Sequence, residues 1–102
     1  MGEVLILITT ETDEKKAKNI ARLVIQKKLA ACVSIKQIFS IYKWGDDIEE
    51  AQEIEIVIKS KPELKNELIT FIKEISSYDV PQILFKTFHA ENKYNNWLTE
   101  TL

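Results

Sequence analysis

Two long arms rich in β-branched and aromatic residues, joined at the only internal glycine, constrain this chain more than any other feature. The first arm runs from Leu29 through Ala30, Ala31, Cys32 and Val33 to Ile41, Tyr42, Lys43 and Trp44; Gly45, Asp46 and Asp47 make a turn; the second runs from Ile48 to Lys59. Apolar residues alternating around a glycine turn read as one β-hairpin. Each arm is about twelve residues, or roughly 40 Å at the rise of a strand. A compact domain of this length has a radius of gyration near 13 Å. The hairpin is therefore expected to project beyond its own core.

The outer half of the first arm makes that projection consequential. Side chains alternate across a strand, so Phe39 and Ile41 face one way while Ile38, Tyr42 and Trp44 face the other. A projecting ribbon that is apolar on both faces is an aggregation hazard unless something covers it. The rest of the chain is too short to do so, and a second copy is the simplest cover. The sequence thus predicts a homo-oligomer built by strand pairing and hairpin docking.

The 102 residues, 45% hydrophobic and 29% charged, suit a single domain over residues 1–102 rather than a disordered chain. No apolar run reaches the roughly 20 residues of a membrane span. Met1, Gly2 and Glu3 lead directly into strand-like sequence, and position 6 is Ile where a myristoylation signal needs Ser or Thr, so neither secretion nor lipidation is expected. A lone cysteine, Cys32, cannot form an internal disulfide, which fits a reducing compartment. Of the 14 basic residues only Arg22 is arginine, the side chain suited to bidentate phosphate recognition, and the net charge is −2. Nucleic-acid binding and phosphoryl chemistry are disfavoured.

The remaining elements follow in order. Residues 4–10 form a nearly continuous apolar run that suits a central strand. Thr10, Thr12 and Asp13 offer helix-capping oxygens, and Ala17, Ile20, Ala21 and Val24 keep helical spacing over residues 14–28. After the hairpin, Ser60, Lys61, Pro62 and Glu63 have the form of a capping box. Leu64, Leu68, Phe71, Ile72 and Ile75 then stripe a second helix to about residue 76. Val80 and Pro81 break it, residues 83–88 read as a last strand, and Tyr94, Trp97 and Leu98 place a short helix within residues 92–102. The order β-α-β-β-α-β is the ferredoxin-like α+β arrangement, with both main helices on one face of an antiparallel sheet. That fold hosts many functions, so function has to be argued from sites.

Candidate chemistry is sparse. His89 and Cys32 fall on different strands, so one chain supplies neither a Cys-His nucleophile pair nor three nitrogen and sulfur ligands for zinc. A symmetry axis converging copies of one residue is the route left to such a metal site. Asp46, Asp47, Glu49, Glu50, Glu53 and Glu55 offer oxygen ligands to a divalent cation, but alternation splits them between faces and no EF-hand spacing is present. A solvated strand that discourages wrong pairing is the better use of this run. The aromatics Tyr42, Trp44, Tyr78, Tyr94 and Trp97 suit interface anchors, with a ligand groove between subunits as the alternative. No Gly-rich phosphate loop or nucleophile elbow occurs, and the first strand carries none of the aromatics that RNA recognition on this fold needs.

Several spaced residues together carry a family resemblance: Ala30-Ala31-Cys32-Val33, then Ser40, Tyr42 and Trp44, then Ile48-Glu49, Glu53 and Lys59, then Tyr78-Asp79-Val80-Pro81, and finally Tyr94 and Trp97-Leu98. In order and spacing the chain resembles the CutA divalent-cation-tolerance proteins over nearly its whole length. The resemblance implies a homotrimer similar in architecture to the PII signalling proteins, a cytoplasmic role in the response to copper and other divalent cations, and no enzymatic activity. It also implies inter-subunit clefts, with Cys32, Tyr42, Trp44, Glu53, Lys59 and Tyr78 at the matching motif positions. Three departures bear on this: Ser76-Ser77 stand where the family commonly has His-Pro, Gln82 stands where Glu often follows the Pro, and Gly45 follows Trp44 directly. The copper ligands proposed in the family fall at Ile8, Ile75 and Ser76 here, and none of these side chains can bind copper. Two non-enzymatic alternatives are small-ligand signalling of the PII type and a rigid scaffold for a partner protein. An acylphosphatase-type enzyme on the same fold is a third, and it needs an anion-binding arginine, for which only Arg22 is available.

Overall fold

The computed structural model describes residues 2–102. Its elements are β1 (Gly2–Glu11), α1 (Glu14–Gln26), β2 (Cys32–Trp44), β3 (Asp47–Ser60), a 3₁₀ turn (Pro62–Leu64), α2 (Lys65–Ile75), β4 (Leu84–Ala90) and α3 (Asn92–Thr101). The four strands form one antiparallel sheet in the order β2-β3-β1-β4. This is the ferredoxin-like α+β fold, extended by a third helix.

Register explains the core. Leu7 lies opposite Ile58, Thr9 opposite Ile56 and Glu11 opposite Ile54, so these side chains share one face of the sheet. That face buries Leu5, Leu7, Ile54, Ile56 and Ile58 against Ala17, Ile20 and Val24 of α1 and Leu68 and Ile72 of α2. The opposite face carries Ile6 and Ile8, half-buried, and its margin is closed by α3. A Cβ on Gly2, which would point to that side, would collide with Asn95, and Leu98 of α3 is fully buried. The continuous apolar run of β1 therefore serves two layers.

Helix ends depart from the sequence reading for identifiable reasons. Asp13 caps α1, its carboxylate accepting the Lys16 N–H at 2.8 Å, whereas Thr10 is buried in β1. The helix stops at Gln26, not residue 28, because Lys28 adopts a left-handed φ of 58°. The Leu29 N–H then reaches the Val24 carbonyl at 2.9 Å and the Lys28 N–H the Ile25 carbonyl at 3.0 Å, a Schellman closure built without its usual glycine. The capping box expected at Ser60 is not formed. Ser60 is the buried last residue of β3, and its hydroxyl donates instead to the Leu29 carbonyl at 2.6 Å. Lys61 precedes the 3₁₀ turn without a side-chain cap, and α2 begins only at Lys65. The last strand runs later than expected, from Leu84 to Ala90, and so takes in His89. In α3 the Glu91 carboxylate accepts the Tyr94 N–H at 3.1 Å, and the amides of Lys93 and Tyr94 hold that carboxyl below its usual range.

Candidate functional site

The hairpin projects as the sequence predicts. Trp44 pairs with Asp47, leaving Gly45 and Asp46 as a two-residue loop, and Gly45 has a φ of +62° where a type II′ turn needs it. Pairing between β1 and β3 ends at Glu11 opposite Ile54. Beyond that point the hairpin has no strand neighbour on either side among the described residues, and the molecule is drawn out to 46 × 24 × 22 Å. Phe39 is 60% exposed, Ile41 63%, Trp44 68% and Ile48 76%, with Tyr42 at 44%. The edge strand β4 also exposes Leu84, Phe85 and Phe88, about half of each.

The root of this projection is where polar groups converge. Glu53 is the first residue of β3 without a β1 partner, and the Tyr78 hydroxyl donates to its carboxylate at 2.5 Å. Burial, the bond to Glu53, and the negative charges of Glu53 and Glu11 push the Tyr78 hydroxyl well above the ordinary tyrosine range. Tyr42 stands on the same face of the hairpin as Glu53, because Tyr42 pairs with Glu49 and Ile38 with Glu53.

The six residues named for the cleft therefore separate into groups. Glu53 and Tyr78 meet at the hairpin root, and Tyr42 lies on the same face four positions further out, opposite Glu49. Cys32 and Lys59 form a cross-strand pair at the far end of β2 and β3, six positions or about 20 Å along the strand from Glu53. Trp44 stands at the tip. Two concave surfaces lie elsewhere, one of about 590 Å³ between the α1 terminus and α2 beside Lys27 and Phe71, and one of about 320 Å³ beside Arg22 and Val33. Neither includes any of the six.

Cys32, half-buried, begins edge strand β2, and His89 lies exposed on the opposite edge strand β4, with two strands between them. Their separation exceeds 14 Å on strand spacing alone, which precludes a Cys-His pair within one chain. Among the described residues no three His, Cys, Asp or Glu side chains are grouped to hold a metal ion. In the acidic run, Glu55 pairs with Lys36 at 3.5 Å, and the acids of the tip are exposed. Ile8 is half-buried in β1, while Ile75 and Ser76 end α2, where the Ser76 hydroxyl accepts the Tyr78 N–H at 3.1 Å. Arg22 is exposed in the middle of α1. Sequence reasoning missed Glu11, a 1% exposed carboxylate at the end of β1. Its signal was its odd-numbered place in line with Leu5, Leu7 and Thr9, which commits it to the core face.

Comparison with known proteins gives one consistent result. Residues 5–101 match the family described as CutA1 divalent ion tolerance protein. Human protein CutA is 38% identical over 101 residues, covering 97% of this chain and 56% of that protein, so the chain spans about half the length of this relative. The divalent-cation tolerance protein CutA of Yersinia pestis (strain Pestoides F) is 32% identical over 103 residues, covering 99% and 87%. The crystal structure of CutA1 from Ehrlichia chaffeensis superposes with a TM-score of 0.93 at 29% identity, covering 99% of this chain and 96% of that one. The periplasmic divalent cation tolerance protein CutA of Archaeoglobus fulgidus gives 0.93 at 30% identity, covering 96% and 97%. With its elongated hairpin, its third helix and a match running nearly end to end, the chain belongs to the CutA1 divalent ion tolerance family.

Proposed function

We propose that this protein acts as a non-enzymatic homotrimer in the response to divalent cations, copper among them, through clefts that form between subunits. The observation that carries this reading is the hairpin beyond Ile54, with apolar side chains exposed on both faces and, among the described residues, no strand beside it. Strand edges and apolar ribbons left open in one chain are what association by strand addition covers. The outer edge of β2 and the exposed edge of β4 supply complementary pairing surfaces. A trimer is the assembly that the family resemblance implies. Laying one hairpin along the next sheet brings the Glu53–Tyr78 pair at the root, and Tyr42 further out on the same face, near residues of a neighbouring copy, which a single chain does not offer. The cation response runs through such a composite site, since the residues at the positions of the family's proposed copper ligands are Ile8, Ile75 and Ser76. The single free cysteine supports a cytoplasmic setting, which fractionation of the host cell checks.

Native mass spectrometry of protein purified gently from its own host, repeated after adding Cu²⁺ and Zn²⁺, tests the proposal. A trimer that takes up metal in a fixed ratio to subunits is the expected result. A trimer carrying a stoichiometric organic mass and no metal would favour small-ligand signalling. A monomer at micromolar concentration would refute the assembly and the composite cleft together.

A further inference from the structure

The hairpin loses the support of β1 at one defined point, and a second segment takes over there. Glu11, the last residue of β1, faces the helix layer and is 1% exposed. One carboxylate oxygen accepts the N–H of Thr12 at 3.0 Å and its hydroxyl at 3.3 Å; the other accepts the Ser77 N–H at 3.2 Å. Ser77 belongs to the connection from α2 to β4, 66 positions away along the chain. The Tyr78 N–H donates to the Ser76 hydroxyl at 3.1 Å, which turns the chain, and the Tyr78 ring then passes the end of β1 to reach Glu53 on the other face of the sheet. Glu53 is the residue at which β3 first lacks a β1 neighbour.

We propose that Glu11 anchors residues 76–81 as a strap that replaces β1 beside the projecting hairpin, and that this strap fixes the direction in which the hairpin leaves the core. Glu11 is a positioning residue, acting on the hairpin through Ser77 and Tyr78. A carboxylate is suited to the task because it offers acceptors on both oxygens and no donor, matching the N–H and O–H groups that surround it. Hydrogen bonds to a charged, buried acceptor are stronger than neutral ones, and a donor left without its partner at such a place is costly. Glutamine keeps the shape but replaces one oxygen with a donor, so it cannot satisfy both sides. In the trimer reading, on which this consequence alone rests, the strap sets the surface that the hairpin presents to the next copy.

Amide hydrogen exchange on the full chain tests the strap, comparing wild type, Glu11→Gln, Tyr78→Phe and the double variant. Glu11→Gln is expected to speed exchange at least about tenfold in residues 76–81 and again in residues 47–53, while residues 54–60, still paired with β1, keep their protection. Tyr78→Phe is expected to speed residues 47–53 alone, and in the double variant to add nothing beyond Glu11→Gln. Two independent contacts would instead give multiplying effects, or a Glu11→Gln effect confined to residues 76–81, and either result overturns the strap. Ser77→Pro, which deletes the donor while leaving Glu11 in place, decides the matter in the same way should Glu11→Gln fail to fold. Subunit count keeps the two readings apart: a monomeric wild type sinks the trimer, and the exchange comparison still decides the strap.

Discussion

Replacing Trp44 by alanine removes the largest side chain that the hairpin tip holds out to solvent. Trp44 is 68% exposed in the single chain, so its loss costs the subunit's own fold little. An aromatic side chain of this size buries up to about 250 Å² when covered, which leaves roughly 170 Å² for a neighbour to cover. At about 25 cal/mol per Å² that area is worth about 4 kcal/mol, and the residual methyl of alanine brings the expected loss nearer 3 kcal/mol for each copy. Since 1.4 kcal/mol is a factor of ten in an equilibrium constant, each interface weakens about a hundredfold. In a trimer that factor enters once per subunit. Sedimentation velocity over a dilution series reads the effect as a shift of dissociation to higher concentration, with far-UV circular dichroism verifying that the fold is kept. Lys43→Ala, also exposed beside the tip, serves as the control and should leave dissociation where it was. A Trp44→Ala protein that dissociates within a few-fold of the wild-type concentration would show that the tip is not an anchor, and the area argument would fail.

Two further outcomes follow from contacts inside the chain. Ser60→Ala removes the hydroxyl that meets the Leu29 carbonyl in a fully buried setting, and should cost about 1–3 kcal/mol, seen as a lower urea midpoint with an unchanged slope; an unchanged midpoint would mean that water reaches that carbonyl. The Tyr78 hydroxyl holds its proton more tightly folded than unfolded, so its contribution to stability is whole below the unfolded tyrosine value of about 10 and declines as pH rises beyond it. An absorbance titration should accordingly show a tyrosine step above the ordinary range that is missing in Tyr78→Phe, and persistence of that step in the variant would reassign it to another residue.

Local signals carried much of the fold. Gly45 between two apolar arms, the run from Val4 to Ile8 and the cap at Asp13 each act through a few neighbouring residues, and each element formed where they stand. Where a residue's partner is distant, the same reasoning went astray. Ser60 reads as a cap for the following helix, yet its hydroxyl is taken by Leu29 from 31 positions away, because a buried carbonyl left unpaired would cost more than an uncapped helix end exposed to water. Lys28 reads as the last turn of α1, yet Leu29 must enter the core, and a left-handed residue turns the chain soon enough to bring it there.

The candidate site divides along the same line. The amino-acid sequence by itself determined that a long hairpin projects, that both its faces are apolar, and that the chemistry-bearing residues are few, because alternation and composition are properties of neighbouring positions. Only the tertiary structure decided that Tyr78 meets Glu53, that Cys32 and Lys59 stand about 20 Å from them, and that Glu11 is buried as an anchor. Those facts depend on where β1 ends against β3 and on which way the chain turns after α2. Strand register sets the first and the contacts of Ser77 with Glu11 and of Tyr78 with Ser76 set the second; register is fixed by the packing of the whole core face, and those contacts join positions far apart in the chain or inside an irregular connection.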